Sequence, residues 1–208
     1  MADNYYRISL QKARQDWLAT DPRRAAACTG ASFSVLPDGS AQVSLPFYGR
    51  NYVIPHPQGT IMEGNSDREA HPTTQILLLH HLLAADGTLP TGEWLSFHEL
   101  PDGRVYQAAF GQRALNPLAA AFGADRDAFV RAAGRLGGEP MRLGDASFWF
   151  RAFPRLALAV TLWLGEEDLP GGANILFDSS AGHYLPTEDL SGVAGILSGR
   201  LLRAAAEE

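Results

Sequence analysis

The chain has 208 residues, of which 46% are hydrophobic and 19% are charged, a composition typical of a folded globular protein rather than of a disordered one. Its formal net charge of −6 argues against nucleic acid or an anionic membrane as a partner, because both require a surplus of Lys and Arg. The single cysteine, Cys28, excludes an internal disulfide, a zinc finger and a Cys-ligated iron–sulfur cluster within one chain.

The sequence also shows no sign of export or of membrane insertion. Its N-terminal residues lack the apolar core of a secretory signal, and its longest apolar runs are too short to span a bilayer. We therefore expect a cytoplasmic location.

The N-terminal part of the sequence predicts two helices. Residues 4 to 19 carry apolar side chains with a period of 3.6, and Asp3 precedes them as a candidate N-cap. The next helix lies in DPRRAAACTG, where Asp21 suits the N-cap and Gly30 suits a left-handed exit. Cys28 falls in the last turn of this helix. We expect a buried thiol that packs as a small hydrophobe there, in preference to a nucleophile.

The middle of the sequence predicts a strand meander followed by an apolar helix. From residue 31 to residue 62 the apolar residues alternate with a period of two between turn residues, which predicts three or four short antiparallel strands. Residues 63–70 are polar and predict an exposed loop. The helix over residues 72–85 is apolar around more than half of its circumference, so we expect it at the centre of the core.

Two adjacent histidines, His80 and His81, lie in this apolar helix. Neighbouring helical residues project about 100° apart, so the two side chains cannot share a zinc ion as those of His-Glu-x-x-His do. We expect His81 opposite the leucine-rich side and His80 at its edge. The favoured role is a rim histidine bonded to backbone or water, and the alternative is an axial ligand to a tetrapyrrole.

The C-terminal part of the sequence predicts a second block of strands and further helices. Residues 94–99 predict a strand or an extended segment, and strands are predicted over residues 148–153, 156–164 and 174–177. The predicted helices cover residues 105–122 and 125–136 and a final helix capped by Thr187. Because the strands fall in two blocks with helices before, between and after them, the fold class is α+β rather than alternating α/β. We expect antiparallel sheets, with an N-terminal strand meander and a C-terminal strand block, packed by the central apolar helix and the C-terminal helix. These elements predict a single α+β domain over residues 1–208.

Acidic and aromatic residues concentrate in the predicted C-terminal strand block. Carboxylates that follow neighbouring strands can meet at one sheet edge, where a hard cation such as Mg²⁺ or Ca²⁺ would find oxygen ligands. No calcium-loop pattern is present. The structural alternative is that residues 166–168 form a solvated turn, that Asp178 caps a local turn and that the acidic residues 188 and 189 stabilise the start of the last helix. Arg151 shares a strand face with two aromatics and pairs either with a structural carboxylate or with an anionic ligand. The candidate ligand-binding residues are Trp163, Glu166, Glu167, Asp168, Asp178, His183 and Arg151.

Motifs that assign a reaction are missing from the sequence. It contains no Gly-x-Ser-x-Gly elbow, no Gly-x-Gly-x-x-Gly fingerprint and no P-loop. The sequence therefore names neither a catalytic residue nor a cofactor, and it leaves open whether the protein is an enzyme.

Three long strings of the sequence resemble domain-of-unknown-function family 3786. They run from Ile76 to Phe110, from Gly144 to Pro170 and from Asn174 to Leu190, and the opening helices and the meander extend the resemblance over nearly the whole chain. The family has no established activity. The resemblance implies a setting in anaerobic bacteria and archaea, in redox or one-carbon metabolism. Some relatives carry an iron–sulfur segment of the kind found in corrinoid proteins, which this chain, with Cys28 alone, lacks.

The sequence leaves three functions open. The leading hypothesis is a ligand- or cofactor-binding accessory module of anaerobic metabolism, with its site at the ends of the C-terminal strands. The second is a metal-dependent enzyme that uses the same carboxylates. The third is a protein–protein adaptor with an exposed apolar patch. The expected partner is a small molecule or another protein, and not nucleic acid or a membrane.

Overall fold

The computed structural model of the chain describes residues 2–64 and 66–207, with side chains described from Arg7 onward. The chain falls into two compact units. Unit 1 comprises Met1–Leu89, Arg151–Leu156 and His183–Leu185, and unit 2 comprises Pro90–Phe150, Ala157–Gly182 and Pro186–Glu208. This division does not test the prediction of a single domain over residues 1–208, which remains a prediction.

Three helices of unit 1 begin and end close to their predicted limits. They are α1 (Ala2–Leu18), α2 (Pro22–Thr29) and α3 (Pro72–Ala84). The carboxylate of Asp21 accepts hydrogen bonds from the backbone N–H groups of Arg23 and Arg24 at the start of α2. Gly30 ends that helix with a φ of 76°, a conformation that glycine adopts without strain. Both predicted end signals are confirmed, whereas the Asp3 side chain lies outside the described residues.

The strand meander of unit 1 forms an antiparallel sheet in the order β1-β2-β3-β4. Its strands are β1 (Ser32–Val35), β2 (Ala41–Phe47), β3 (Arg50–His56) and β4 (Met62–Glu63). Val43 pairs with Ile54, and Leu45 pairs with Tyr52. All four of these side chains are buried, so the period of two seen in the sequence marks the face that packs into the core.

The predicted loop over residues 63–70 is only partly a loop. Glu63 belongs to β4 and pairs with Tyr52, and Ala70 is buried with a backbone N–H bond to Ile61 O of 2.9 Å. Asn65 lies outside the described residues. The polar composition of the segment did not indicate that its first residue pairs in a strand or that its last residue is buried, because both features depend on residues elsewhere in the chain.

Helix α3 lies in the core of unit 1, as its apolar composition predicts. Leu78, Leu79 and Leu82 are almost completely buried, and so are residues on other sides of the helix, including Gln75. Burial thus covers most of the circumference of the helix, and its less buried side includes His80. Its buried polar residues must therefore be satisfied inside the protein or remain without partners.

The strands of the C-terminal block form a second antiparallel sheet in the order β5-β9-β8-β7-β6. They are β5 (Trp94–Ser96), β6 (Glu139–Pro140), β7 (Ala146–Phe153), β8 (Leu156–Trp163) and β9 (Gly172–Asp178). The sheet belongs to unit 2 except for residues 151–156, where β7 turns into β8, which cluster with unit 1. Strand β8 is buried on both faces from Leu158 to Leu162, as is typical of a strand whose apolar residues form a continuous run.

The helices of unit 2 lie between β5 and β6 and after β9. They are α4 (Gly103–Phe110), α5 (Asn116–Phe122), α6 (Arg126–Arg135) and α7 (Thr187–Ala206), with a π-helical segment at Gly111–Leu115. Helix α7 buries Leu190, Val193, Leu197 and Leu201 along one side. The predicted cap is wrong, because Pro186 is the N-cap and Thr187 is already helical. The Thr187 hydroxyl donates to Pro101 O at 2.5 Å instead of capping its own helix.

These elements make the chain an α+β protein with two antiparallel sheets, an N-terminal strand meander and a C-terminal helix. Within residues 2–64 and 66–207, no helix combines the length and the apolar composition needed to cross a bilayer.

Candidate functional site

The acidic residues that the sequence places in one candidate site lie at opposite ends of β9. Glu166, Glu167 and Asp168 belong to the loop that joins β8 to the start of β9, whereas Asp178 is the last residue of β9. Six steps along an extended strand separate Gly172 from Asp178, a distance of about 20 Å. The structure therefore does not bring these carboxylates together, because sequential antiparallel strands put their connecting loop at the far end of the sheet.

The loop between β8 and β9 is a tight, solvent-exposed turn. Glu166 N donates to Leu169 O at 2.9 Å, and Leu169 N donates to Glu166 O at 3.1 Å. All three acidic side chains of this turn are exposed, and Trp163, which closes the strand before it, is 46% exposed. Across the described parts of the chain, no three or more His, Cys, Asp or Glu side chains are arranged to hold a metal ion.

Asp178 is buried and has a structural environment of its own. Its carboxylate accepts five hydrogen bonds, from the backbone N–H groups of Thr91, Gly92 and Ser180 and from the hydroxyls of Thr91 and Ser180. Burial raises the pKa of Asp178, but the hydrogen bonds outweigh burial and hold the pKa below its ordinary value. The carboxylate thus fastens the segment before β5 to the end of β9.

The other two predicted site residues, Arg151 and His183, belong to unit 1. His183 Nδ1 lies 2.7 Å from Asp86 Oδ2, and both side chains are about half exposed. The backbone N–H of Thr88, its hydroxyl and His183 together lower the pKa of Asp86 to about 2. Arg151 is exposed and donates from Nη1 to Pro154 O at 3.2 Å.

His81 is fully buried, so the prediction of a rim histidine is wrong. Its ring stacks on Phe153 with centroids 3.9 Å apart and on Tyr184 with centroids 5.4 Å apart, and Phe47 extends the stack beyond Phe153. Neither ring nitrogen has a hydrogen-bond partner within the described residues. Burial lowers the pKa of His81 to about 3, which keeps the imidazole neutral. A ring enclosed in this way has no open position for a tetrapyrrole.

Cys28 and Arg155 meet close to this aromatic stack. Arg155 Nη1 donates to Cys28 O at 3.0 Å and to Gly87 O at 3.3 Å. The hydroxyl of Tyr184 donates to Thr88 O, and burial raises the pKa of that hydroxyl. These bonds tie the end of α2 to the segment after α3. The Cys28 side chain is half-buried rather than fully buried, and it borders a groove of about 300 Å³.

A larger cavity, of about 580 Å³, lies in unit 1 between α1 and the segment that follows β3. One wall is a face of α1, and the other is formed by the end of β3, the loop to residue 61 and one residue of α3. The lining residues are Arg7, Leu10, Gln11, Arg14, Gln15, Trp17, Leu18, Ile54, Pro55, Pro57, Gln58, Gly59, Thr60, Ile61 and Leu79.

The cavity combines apolar walls with two cations. Arg7 and Arg14 are its charged lining residues, and the lining contributed by the described side chains includes no carboxylate. Arg14 Nη2 donates to Gln75 Oε1 at 2.8 Å and lies 3.9 Å from Glu69 Oε1. Trp17 is fixed in the apolar wall because its indole Nε1 donates to Pro55 O at 2.9 Å. The cavity therefore has an apolar surface that includes the anchored Trp17, and the guanidinium of Arg14 is oriented by Gln75, which does not line the cavity.

None of these cavity residues was predicted as a site from the sequence. A signal was nevertheless present in the stripe along α1. Arg7, Leu10, Arg14 and Trp17 are spaced three, four and three residues apart, so they share one face of the helix. A stripe that mixes arginine with leucine and tryptophan fits a surface that contacts both apolar and charged groups, and it also fits a helix packed on the core with its arginine head groups in water.

Fold and cavity together define an α+β protein with two antiparallel sheets and an apolar cavity that carries two arginines. The chain belongs to the family described as Domain of unknown function (DUF3786), whose model matches residues 21–200, and the resemblance seen in the sequence is thereby confirmed. No curated protein and no solved structure matches the chain. The matched region begins after α1, so the helical wall of the cavity lies outside it.

Proposed function

We propose that the chain is a ligand-binding protein and that the cavity beside α1 is its binding site. The observation that carries the proposal is the cavity itself, whose volume of about 580 Å³ falls within the range of small-molecule sites. Such sites are mostly apolar with a few placed polar groups, and the lining of this cavity has that composition. The proposal keeps the class of function predicted from the sequence but moves the site from the C-terminal strand ends to unit 1.

The cellular setting is part of the same proposal. The family resemblance supports an accessory role in anaerobic redox or one-carbon metabolism and a cytoplasmic location. The metal-dependent enzyme is not favoured by the geometry, because the carboxylates that would bind the metal lie at the two ends of β9.

Blocking the cavity tests the proposed function. Gln11 is an exposed lining residue, and its replacement by tryptophan is expected to fill part of the cavity. The neutral fluorophore N-phenyl-1-naphthylamine should bind the natural protein saturably and bind Gln11→Trp about tenfold more weakly, a change of about 1.4 kcal/mol. The measurement is a fluorescence titration at constant protein concentration.

The matched control is Gln112→Trp, the same exchange at an exposed position in unit 2. It should bind the fluorophore as the natural protein does. Equal affinity of the natural protein and both variants would mean that the fluorophore binds outside the cavity beside α1. The absence of saturable binding to the natural protein would refute the proposed function.

A protein–protein adaptor is a second candidate, because one end of unit 2 exposes apolar side chains. Leu169 is 66% exposed and Trp163 is 46% exposed, next to an open groove of about 570 Å³ that Leu169 helps to line. The turn that holds Leu169 is closed by two backbone hydrogen bonds with Glu166. Neighbouring exposed apolar residues beside a groove are a feature of interaction sites.

The adaptor function predicts that Leu169→Glu releases a protein that copurifies with the chain from its own cells. Leu89→Glu is the matched control, since Leu89 is 68% exposed and lies in unit 1. Quantitative mass spectrometry of the purified proteins compares the two variants. A partner that stays bound to Leu169→Glu, or leaves both variants equally, does not dock on this turn.

A further inference from the structure

We infer that the ligand of the cavity beside α1 is an amphiphilic organic anion, a molecule with an apolar body and one carboxylate group. The inference rests on the proposed function, which it narrows to a chemical class. It depends on three features of the cavity, namely its charge, the way in which Arg14 is held and the distribution of apolar surface along its length.

The charge of the cavity is opposite to that of the whole chain. The chain carries a formal net charge of −6, yet the charged residues that line the cavity are Arg7 and Arg14. An anion that enters the cavity meets a guanidinium beside apolar walls, so that charge attraction adds to the burial of apolar surface. A cationic ligand would be repelled, and a neutral ligand would gain nothing from the charge of the arginines.

Arg14 is arranged to receive a carboxylate. Its bond to Gln75 fixes the guanidinium, and Gln75 is itself anchored because its Nε2 donates to Ala70 O at 2.7 Å and to Glu69 Oε1 at 2.9 Å. A guanidinium has five N–H donors in a planar fork, so one bond that orients it leaves donors for a bidentate carboxylate. Orientation before binding reduces the entropy lost when the ligand binds.

Glu69 is too weak a partner to occupy Arg14 against a ligand. Its Oε1 lies 3.9 Å from Arg14 Nη2, and both side chains are about half exposed. Exposed ion pairs at that separation contribute little, because solvent screens the charges. A carboxylate delivered on an apolar body gains from burial of that body as well, and can therefore displace the longer interaction with Glu69.

The apolar surface runs along the helix between and beyond the two arginines. Arg7 and Arg14 are two helical turns apart, about 10 Å along the axis of α1. Leu10 lies between them on the same face, and Trp17 and Leu18 continue the surface past Arg14. The opposite wall adds the buried side chains of Ile54 and Ile61. This arrangement fits an elongated apolar body with the anionic group at a guanidinium.

Three ligands with the same chain and different head groups test the inference. Decanoate, decanol and decylammonium are used below their aggregation limits to displace N-phenyl-1-naphthylamine from the protein at neutral pH. Decanoate should displace the fluorophore at about tenfold lower concentration than decanol, and decylammonium should be the weakest of the three. Added sodium chloride should weaken decanoate and leave decanol unchanged.

Variants of α1 test which arginine binds the carboxylate of decanoate. Arg14→Met should reduce the advantage of decanoate over decanol to about twofold while decanol binds as before, which also shows that the variant is folded. Lys12→Met removes a cation from the same helix outside the cavity lining and should keep the full advantage. Arg7→Met measures how much of the advantage of decanoate over decanol the second arginine contributes.

The outcomes separate the two proposals. Equal displacement by decanoate and decanol would overturn the inference about ligand class and leave the proposed function standing. A decanoate advantage that survives both Arg14→Met and Arg7→Met would overturn the placement of the anion. If the fluorophore does not bind the natural protein saturably, the proposed function itself fails.

Discussion

Replacement of Asp178 by asparagine is expected to lower the free energy of unfolding by about 3 kcal/mol. The buried carboxylate accepts hydrogen bonds on both oxygens, with Gly92 N at 2.7 Å from Oδ2 and four further donors on Oδ1. Asparagine keeps one oxygen and puts an N–H₂ group at the other position, where it would face the N–H of Gly92. A buried donor then loses its acceptor, and bonds to a charged acceptor become bonds to a neutral one. Chemical denaturation at neutral pH measures the change.

Asp38→Asn is the matched control for this experiment. Asp38 also accepts from the backbone N–H and the hydroxyl of a serine two residues on, Ser40, but it is exposed, so its replacement should lower the stability far less than that of Asp178. The pH dependence gives a second check. The folded pKa of Asp178 is held below its ordinary value, so its stabilising contribution is present above that value and is lost as the pH falls. Similar losses in the two variants would mean that the buried hydrogen bonds of Asp178 contribute little.

Local signals in the sequence predicted most elements of the fold correctly. Asp21 and Gly30 mark the ends of α2 because a cap depends on contacts within a few residues. The period of two in the meander and the continuous apolar run of β8 likewise report which faces are buried. Such patterns depend on residues within one segment, so they can be predicted from the sequence of that segment alone.

Features that depend on distant segments were not predictable in the same way. His81 was expected opposite the buried side of α3, but Phe153 and Tyr184, from far along the chain, cover that side. The acidic cluster failed for a related reason. Carboxylates that follow neighbouring strands were expected at one sheet edge, whereas the antiparallel pairing of β8 with β9 puts the turn at Glu166 and the residue Asp178 at opposite ends of β9.

The cavity shows how far a site can be predicted from one of its walls. The stripe of arginines and apolar residues on α1 is visible in the sequence, but a stripe alone fits a core-packing helix equally well. The opposite wall comes from residues 54–61, some forty positions later, and only the folded chain shows that the two walls stay apart. A void is a property of two surfaces together, so periodicity in either one cannot predict it.

His81 should make the protein lose stability as the pH falls below about 6.5. The folded pKa of about 3 lies below the ordinary value of 6.5, so between these values the unfolded chain binds more protons than the folded chain. Stability from the neutral, buried ring is therefore complete above pH 6.5 and decreases by about 1.4 kcal/mol for each pH unit below it. Between pH 6.5 and pH 5 the expected loss is about 2 kcal/mol, which denaturant titrations at several pH values measure.

Replacing His81 by phenylalanine should remove this loss without weakening the protein at neutral pH. A phenyl ring can stack between Phe153 and Tyr184 as the imidazole does, and it carries no nitrogen that is buried without a partner. Because a six-membered ring is slightly larger, His81→Leu serves as a second variant that should also flatten the pH dependence. His98→Phe, at an exposed position, is the control that should retain it. If both His81 variants lose stability toward pH 5 as steeply as the natural protein, the dependence originates in other groups, and the imidazole must be hydrated or paired in solution.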